Sequence, residues 1–588
     1  MMEYRKEYEK WLSDPAIDND TRQELQGIGA DTREIEDRFY THLAFGTGGL
    51  RGVIGAGTNR MNIYTVRKAT QGLAHYILSQ GEAAVQKGVV IAHDSRRMSP
   101  EFCEEAALVL NGNGIRTYVF DDLRPTPLLS FAVRHLGCTA GIVITASHNP
   151  PEYNGYKVYW DDGGQVPHPR DQAIIMEVNK ITDFLQIKTI SKKAAVESGL
   201  FSVAGPEVDD AYVQAILSQR RHRELPVRPL KIVFTPLHGA GNVLVRRVLD
   251  EAGYKDVYVV EAQAAPDGNF PTVAYPNPED FAAFAMAETL AWEKDADLII
   301  CTDPDGDRLG VALKNEMSMD NHGYSTDKYI HLTGNMTGVL LTEYLLSERK
   351  VMDDLPANGA IVSTIVSTEM SKSIARAYGV THFEVLTGFK YIGEKIKEFE
   401  QSGAHTYLFG FEESCGYLAG DYARDKDAVE AALLVCEAAA YYRQKNMSLW
   451  DAMVALYKKY GYFKESLESV TLKGLEGLAD MRRIMADLRR NPFKEMGGLA
   501  VVERRDYRER VTLNCITGQT KTTGLPCSDV LYYVLEDGSW LCIRPSGTEP
   551  KIKLYFGTVI EAWDTLAEAD AQAQERLGII KQAFESRL

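Results

Sequence analysis

Four segments of this chain run an apolar stretch straight into a polar turn: GVVIAHDSRR, GIVITASHNP, KIVFTPLHGAG and DLIICTDPDGD. Their apolar residues are consecutive, with no polar-apolar alternation. A strand of that kind is buried on both faces, which calls for a mainly parallel sheet with helices above and below it. In such sheets ligands bind beyond the carboxyl ends of the strands, and in this chain the polar motifs sit at those ends.

These features predict an α/β, multi-domain chain. Its 588 residues exceed what one core can organise, and 45% hydrophobic with 25% charged residues is ordinary globular composition. Polar or proline-marked seams lie near 188–205, 315–324 and 445–463. They divide the chain into an N-terminal α/β domain (1–205), two further α/β domains (206–318 and 319–460) and a smaller C-terminal α+β domain (461–588), set around a central cleft. The first 41 or so residues are charged and helical in pattern, and beyond Leu499 the pattern turns to strands (LAVVERRDY, VLYYVLEDG, WLCIRPSG).

Charge and cysteine usage exclude several classes. The chain has 65 basic and 82 acidic residues, a net charge of −17, which repels nucleic acid and anionic membrane. A local cationic site still admits an anionic substrate. None of the 8 cysteines falls in a CxxC pair, so they read as reduced core thiols of a cytoplasmic protein. MMEYRKEYEKW has no apolar signal region, and no apolar stretch is long enough to span a bilayer. A monomer or a dimer fits equally.

Two turns carry chemistry by residue type alone. TASHNP places Ser147 on a loop at a strand end, because Pro150 and Pro151 bar a helix directly after it. Without a GxSxG elbow, this is not an acyl-transfer serine. DPDGD places Asp303, Asp305 and Asp307 at alternating positions, so the three carboxylates gather on one side. Three hard oxygen ligands leave room for a phosphate oxygen and water, which suits Mg²⁺. Carboxylates that close repel one another unless a cation sits among them.

TASHNP followed by NGYK resembles the active-site signature of the α-D-phosphohexomutase family, including its phosphoglucomutase-2/phosphopentomutase-like branch. FGTGGLRG, the aspartate loop, GFEESCGY, TGFK, RDKD and RPSGTEP resemble the family's other elements in the expected order. The resemblance implies that Ser147 carries a phosphoryl group and belongs to the metal site with the three aspartates. His148 would line the site, and Arg51 and Lys157 would neutralise the moving phosphoryl, Lys157 being a candidate acid or base. His93, Asp94 and Arg96 would form a supporting loop. Arg308, Thr387, Lys390, Glu412, Ser414 and Lys426 would bind the sugar phosphate. Arg544, Ser546, Gly547 and Thr548 would cradle the phosphate that is not reacting, and PLHGAG reads as architectural. Two departures stand out: Pro304 replaces a family glycine in the metal loop, and Phe411 replaces one in the sugar loop.

The function implied is interconversion of α-D-glucose 1-phosphate and glucose 6-phosphate, with Mg²⁺ as cofactor and glucose 1,6-bisphosphate as intermediate and activator. A pentose or mannose phosphate is the alternative substrate. A phosphatase or a catalytically silent sugar-phosphate sensor is the alternative class. A hydrolase has no need of a second phosphate cradle, and a silent sensor has no need of Ser147, Lys157 and the three aspartates.

Overall fold

The structure, a computed structural model, describes residues 3–43, 49–223, 230–315, 328–471, 477–545 and 551–587. It divides into two compact units, residues 1–337 with 389–444, and residues 338–388 with 445–588.

The first unit opens with helices Glu3–Ser13, Asn19–Gly27 and Thr32–Phe39, as the charged N-terminal pattern predicts. Asp18 and Asp31 cap the second and third by accepting hydrogen bonds from free first-turn N–H groups. Their apolar faces form a core with Tyr8, Trp11, Leu25, Ile35 and Phe39 that takes in Tyr64 from the domain beyond. The Trp11 ring meets Phe39, Tyr64 and Phe184 edge-on at 5.7, 5.4 and 5.5 Å. The Tyr64 hydroxyl donates to Asp18 Oδ2 at 2.5 Å and accepts from the Asp18 N–H at 2.7 Å. These helices share a core with the first sheet domain.

Strands β1 (Gly49–Val53), β2 (Val89–His93), β3 (Thr117–Phe120), β4 (Ala140–Ile144), β5 (Tyr153–Trp160) and β6 (Phe201–Ala204) form one sheet in the order β1-β5-β4-β2-β3-β6. β4, β2, β3 and β6 are parallel, whereas β5 runs antiparallel to both β4 and β1. A second sheet has the order β11-β10-β9-β7-β8, from β7 (Ile232–Thr235), β8 (Val257–Val259), β9 (Leu298–Thr302), β10 (Leu309–Lys314) and β11 (Tyr329–Leu332). Here β8, β7 and β9 are parallel and β10 returns antiparallel. β2, β4, β7 and β9 are buried at every position, as their unbroken apolar runs require.

The four polar turns at the ends of these strands diverge. HDSRR and PLHGAG lead into helices Ser99–Gly112 and Gly241–Glu251, completing strand-turn-helix units. TASHNP and DPDGDR instead turn back as hairpins into β5 and β10. For TASHNP the cause is local: the prolines after Asn149 bar a helix, and YNGYKVYW is rich in the strand formers Tyr, Val and Trp.

In the second unit, β12 (Gly359–Thr364) and β13 (Thr381–Val385) pair in parallel. In the first unit, β14 (Thr406–Glu412) and β15 (Gly416–Ala419) form another hairpin. The C-terminal part of the second unit is an antiparallel sheet containing β16 (Tyr462–Thr471), β17 (Glu495–Met496), β18 (Leu499–Asp506), β19 (Val511–Asn514), β20 (Thr520–Thr522), β21 (Leu531–Leu535), β22 (Trp540–Pro545) and β23 (Lys551–Ile560). Helices Gly477–Arg490 and Leu566–Glu585 close its core through Met485, Leu488, Ile580 and Phe584. The strands begin at Tyr462, well before Leu499. YFKESLESVT carries charge at Lys464, Glu465 and Glu468 and becomes a long strand by pairing with β23 from Tyr462 to Thr471. Six of the cysteines are buried, but Cys515 and Cys527 are exposed, a correction to the expectation of core thiols throughout. Among the described residues, no helix is long and apolar enough to cross a membrane.

Candidate active site

Ser147 leaves β4 in the left-handed backbone region, at φ 51°, which costs a non-glycine residue about 1–2 kcal/mol. Its surroundings over-determine that conformation. Its N–H donates to Thr145 Oγ1 at 2.8 Å, and that hydroxyl donates to Asp94 Oδ2 at 2.6 Å. The buried Arg96 guanidinium donates to the carbonyls of Ser147 (2.5 Å), Pro150 (2.8 Å) and Tyr153 (3.0 Å), and also to that of Asn149. Asp94 lies 3.3 Å from Arg96 Nε. Asp94 and Arg96 are thus the support that HDSRR suggests, whereas the His93 ring turns to the Asp94 carbonyl, with Nδ1 2.9 Å from it. Gly155 lets β5 pass under the loop, since a Cβ there would lie 2.4 Å from the Thr145 carbonyl oxygen.

The Ser147 hydroxyl, nearly buried, donates to Asp303 Oδ2 at 2.9 Å and lies 3.1 Å from His148 Nδ1. Burial holds the His148 imidazole well below its ordinary pKa, and the cations Arg308 and Arg51 add to the effect. Arg51 is exposed in the middle of the edge strand β1 and donates to Asn149 Oδ1 at 3.1 Å. Residues 45–48 of the glycine-rich run lie outside the described residues.

The β9–β10 hairpin brings Asp303, Asp305 and Asp307 together, all buried, with one ligand oxygen from each within 4.8 Å of the others. Gly306, at φ 64°, makes the turn. Asp303 Oδ1 accepts from the N–H groups of Asp307 and Arg308, both at 3.0 Å. Asp305 Oδ2 accepts from Thr126 Oγ1 at 3.0 Å and Lys157 Nζ at 2.9 Å. Asp305 Oδ1 and Asp307 Oδ1, in contrast, are buried and have no hydrogen-bond partner among the described residues. Burial and the charges of Asp305 and Asp307 push Asp303 well up, while Lys157 overrides burial and holds Asp305 low. Buried, mutually repelling carboxylates with two orphaned oxygens fit a hard divalent cation.

Two lysines reach Asp307 Oδ2, Lys426 at 2.9 Å and Lys157 at 3.5 Å. Burial opposes both charges, but the surrounding carboxylates outweigh it and raise both pKa values, so both lysines are cationic. Arg308 ion-pairs with Glu279. In the β14–β15 hairpin, Glu412 lies 3.9 Å from Lys426; burial raises its pKa against the pull of Lys426 and Arg308. Ser414 is half-buried beside it, and Lys390 opens helix Phe389–Ser402 with its ammonium 4.9 Å from the Tyr391 ring centre. Thr387 and Arg544 belong to the second unit, each half-buried, Arg544 on β22 opposite Lys553. Ser546, Gly547 and Thr548 lie outside the described residues.

Family models match nearly the whole chain in sequence. They are the phosphoglucomutase/phosphomannomutase α/β/α domain I over residues 42–184, domain II over 210–316, domain III over 333–460, and the C-terminal domain over 470–573. A phosphoglucomutase of Staphylococcus aureus (strain bovine RF122 / ET3-1) is 38% identical over 91% of this chain and 93% of its own length. The chain belongs to the phosphoglucomutase/phosphomannomutase family. A phosphoglucomutase of Staphylococcus saprophyticus is 36% identical over 90% of this chain and 92% of its own.

Solved members of the phosphoglucomutase/phosphomannomutase fold agree. A family protein from Burkholderia thailandensis has a TM-score of 0.64 at 20% identity, covering 92% of this chain and 97% of its own. The open form of pp63/parafusin from Paramecium has a TM-score of 0.66 at 16% identity, covering 92% and 95%.

Several residues of this family member's site escape sequence reasoning. Thr126, whose hydroxyl and N–H both donate to Asp305, stands at the start of helix Thr126–His135 after β3. That is a strand end like the others, and the strand-end rule applied to RPTPLL would have found it. Glu279 and Tyr275, the latter with its ring 5.8 Å from that of His148, come from a loop with no periodic signal. His238 of PLHGAG uses one nitrogen on the Ala265 carbonyl at 3.0 Å and the other on Thr272 Oγ1 at 2.8 Å, a scaffolding role.

Proposed function

We propose that this chain is a phosphoglucomutase that interconverts α-D-glucose 1-phosphate and glucose 6-phosphate through phosphorylated Ser147 and glucose 1,6-bisphosphate. The observation that carries the reading is the 2.9 Å contact between Ser147 Oγ and Asp303, one of three aspartates grouped for a metal ion. The curated relatives' names support the same reaction.

Asp303, Asp305 and Asp307 would hold Mg²⁺, which when bound draws negative charge from the phosphoryl oxygens. Ser147 holds the phosphoryl group at the tip of its loop. The sugar hydroxyl oxygen bonds to phosphorus as the phosphorus–Oγ bond breaks, giving the bisphosphate. The hydroxyl proton leaves as Ser147 Oγ gains one, and the neutral His148 nitrogen beside Oγ is placed to pass it. Lys157, Lys426 and Arg51 supply fixed positive charge for a transition state whose catalysis is mostly electrostatic. Being cationic, Lys157 suits neutralisation or proton donation rather than abstraction. Glu412 and Ser414 accept from and donate to sugar hydroxyls, with Arg308, Thr387, Lys390 and Lys426 as the other binding residues. The loop from Arg544 to Thr548 binds the phosphate that stays on the sugar. The bisphosphate turns over and returns its other phosphate to Ser147.

The test is a substrate panel of hexose, hexosamine and pentose 1-phosphates, with Mg²⁺ and the matching bisphosphate. Glucose 1-phosphate is expected to give the highest kcat/KM. A higher value for a pentose phosphate would overturn the sugar assignment, and net release of inorganic phosphate would overturn the mutase.

A further inference from the structure

The RDKD run connects four places at once. The Arg424 N–H donates to Ser130 Oγ at 2.8 Å, and its guanidinium donates to Glu400 at 2.6 Å. Asp425 Oδ2 accepts from the Tyr159 hydroxyl at 2.6 Å, while Oδ1 accepts from the Lys426 N–H at 2.9 Å and lies 3.6 Å from Lys426 Nζ. Lys426 reaches Asp307. Asp427 accepts from the Tyr212 and Tyr422 hydroxyls at 2.8 and 2.6 Å, caps helix Ala428–Gln444, and is followed by an Ala428 N–H that donates to the Gly306 carbonyl at 3.3 Å. Arg424, Asp425 and Asp427 are all buried.

The Tyr159–Asp425 bond stands apart from the rest because of the residue next to each partner. On β5, Tyr159 is two residues from Lys157, so the two side chains share a face of the strand. Asp425 immediately precedes Lys426. One hydrogen bond therefore joins the backbone segments of the two lysines that both reach Asp307 Oδ2. Burial and Asp425 keep the Tyr159 hydroxyl protonated and able to donate.

We infer that Asp425 and Tyr159 are positioning residues for the transfer step: their hydrogen bond sets the spacing of the Lys157 and Lys426 ammoniums about the metal loop, so that both charges meet the moving phosphoryl group. This rests on the proposed mutase reaction. Neither residue needs to touch substrate. A pair that acts mainly on charge placement in the transition state lowers kcat more than it changes KM when lost.

The experiment compares Asp425→Asn, Tyr159→Phe, their double variant and Tyr212→Phe, which removes a hydroxyl from the other side of the same loop. Asp425→Asn and Tyr159→Phe are each expected to lower kcat by about 10- to 100-fold, the worth of one charge-assisted hydrogen bond. KM should change less than kcat, and the double variant should be no worse than the poorer single one. Tyr212→Phe should lower the melting temperature comparably with kcat near wild type. Acetylation of Lys426, followed by peptide mapping, should run several-fold faster in Tyr159→Phe than in wild type. Unchanged kcat, additive losses, an equal kcat loss in Tyr212→Phe, or unchanged Lys426 labelling would each overturn the inference. A wild-type protein without turnover on any phosphosugar would sink the mutase reading instead, and the labelling rate would then decide the positioning role by itself.

Discussion

The serine loop and the metal loop are built alike and finished differently. Both are hairpin turns at the carboxyl end of a buried parallel strand, and both contain one residue at positive φ, Ser147 at 51° and Gly306 at 64°. The serine loop is completed by the protein itself, since Arg96 takes up four of its carbonyls and Thr145 its N–H. The metal loop is left incomplete, with Asp305 Oδ1 and Asp307 Oδ1 buried and unpaired among the described residues. One loop holds a strained backbone at Ser147, and the other holds buried carboxylate oxygens without a partner among the described residues.

The largest effect separates chemistry from stability in the serine loop. Ser147→Gly should abolish turnover yet change stability by under about 1 kcal/mol, because relief of the left-handed backbone offsets the lost hydrogen bond to Asp303. A melting curve beside a mutase assay reads both, and a large drop in melting temperature would mean that the side chain holds the loop. Next is the metal loop. Asp305→Asn should lower turnover by about 10³-fold, the scale of losing one preorganised charge interaction. Mg²⁺ should raise the melting temperature of the wild type, by about 2.7 kcal/mol of stability at a hundredfold excess over Kd, and leave the variant unmoved. If both respond alike, the triad does not hold the ion.

Arg96→Lys tests the completed loop. A lysine cannot reach four carbonyls, so stability should fall by about 3 kcal/mol with turnover falling alongside. Urea melts monitored with the mutase rate check it. The smallest effect is Gly306→Ala, expected to cost about 1 kcal/mol for an L-residue at φ 64°. A neutral result in a thermal melt would show that the metal loop tolerates strain as well as the serine loop does.

Much of this was legible in the sequence, for identifiable reasons. Apolar runs with no alternation marked β2, β4, β7 and β9, and residues at their carboxyl ends included Ser147 and the three aspartates. The hairpin returns were less visible, because a strand-turn-strand path after TASHNP differs from strand-turn-helix only in the residues beyond the prolines. Arg96 was visible as a neighbour in HDSRR, but its grip on four carbonyls depends on a fold that brings residues about 50 positions apart together. Glu279 and Asp425 were illegible for the same reason, since each meets a partner distant in sequence, Arg308 and Tyr159, whereas Thr126 stands at a strand end that the strand-end rule reaches. The charge of YFKESLESVT hid a strand whose partner lies near the C-terminal end.

The central claim is a phosphoryl group carried on Ser147. The direct measurement is intact mass and peptide mapping of the purified protein after incubation with glucose 1,6-bisphosphate and Mg²⁺. The account expects one added phosphoryl mass, located on the peptide containing Ser147, and its transfer to glucose 1-phosphate when that sugar is supplied. Phosphate mapped to another residue, together with full mutase activity in Ser147→Ala, would contradict it.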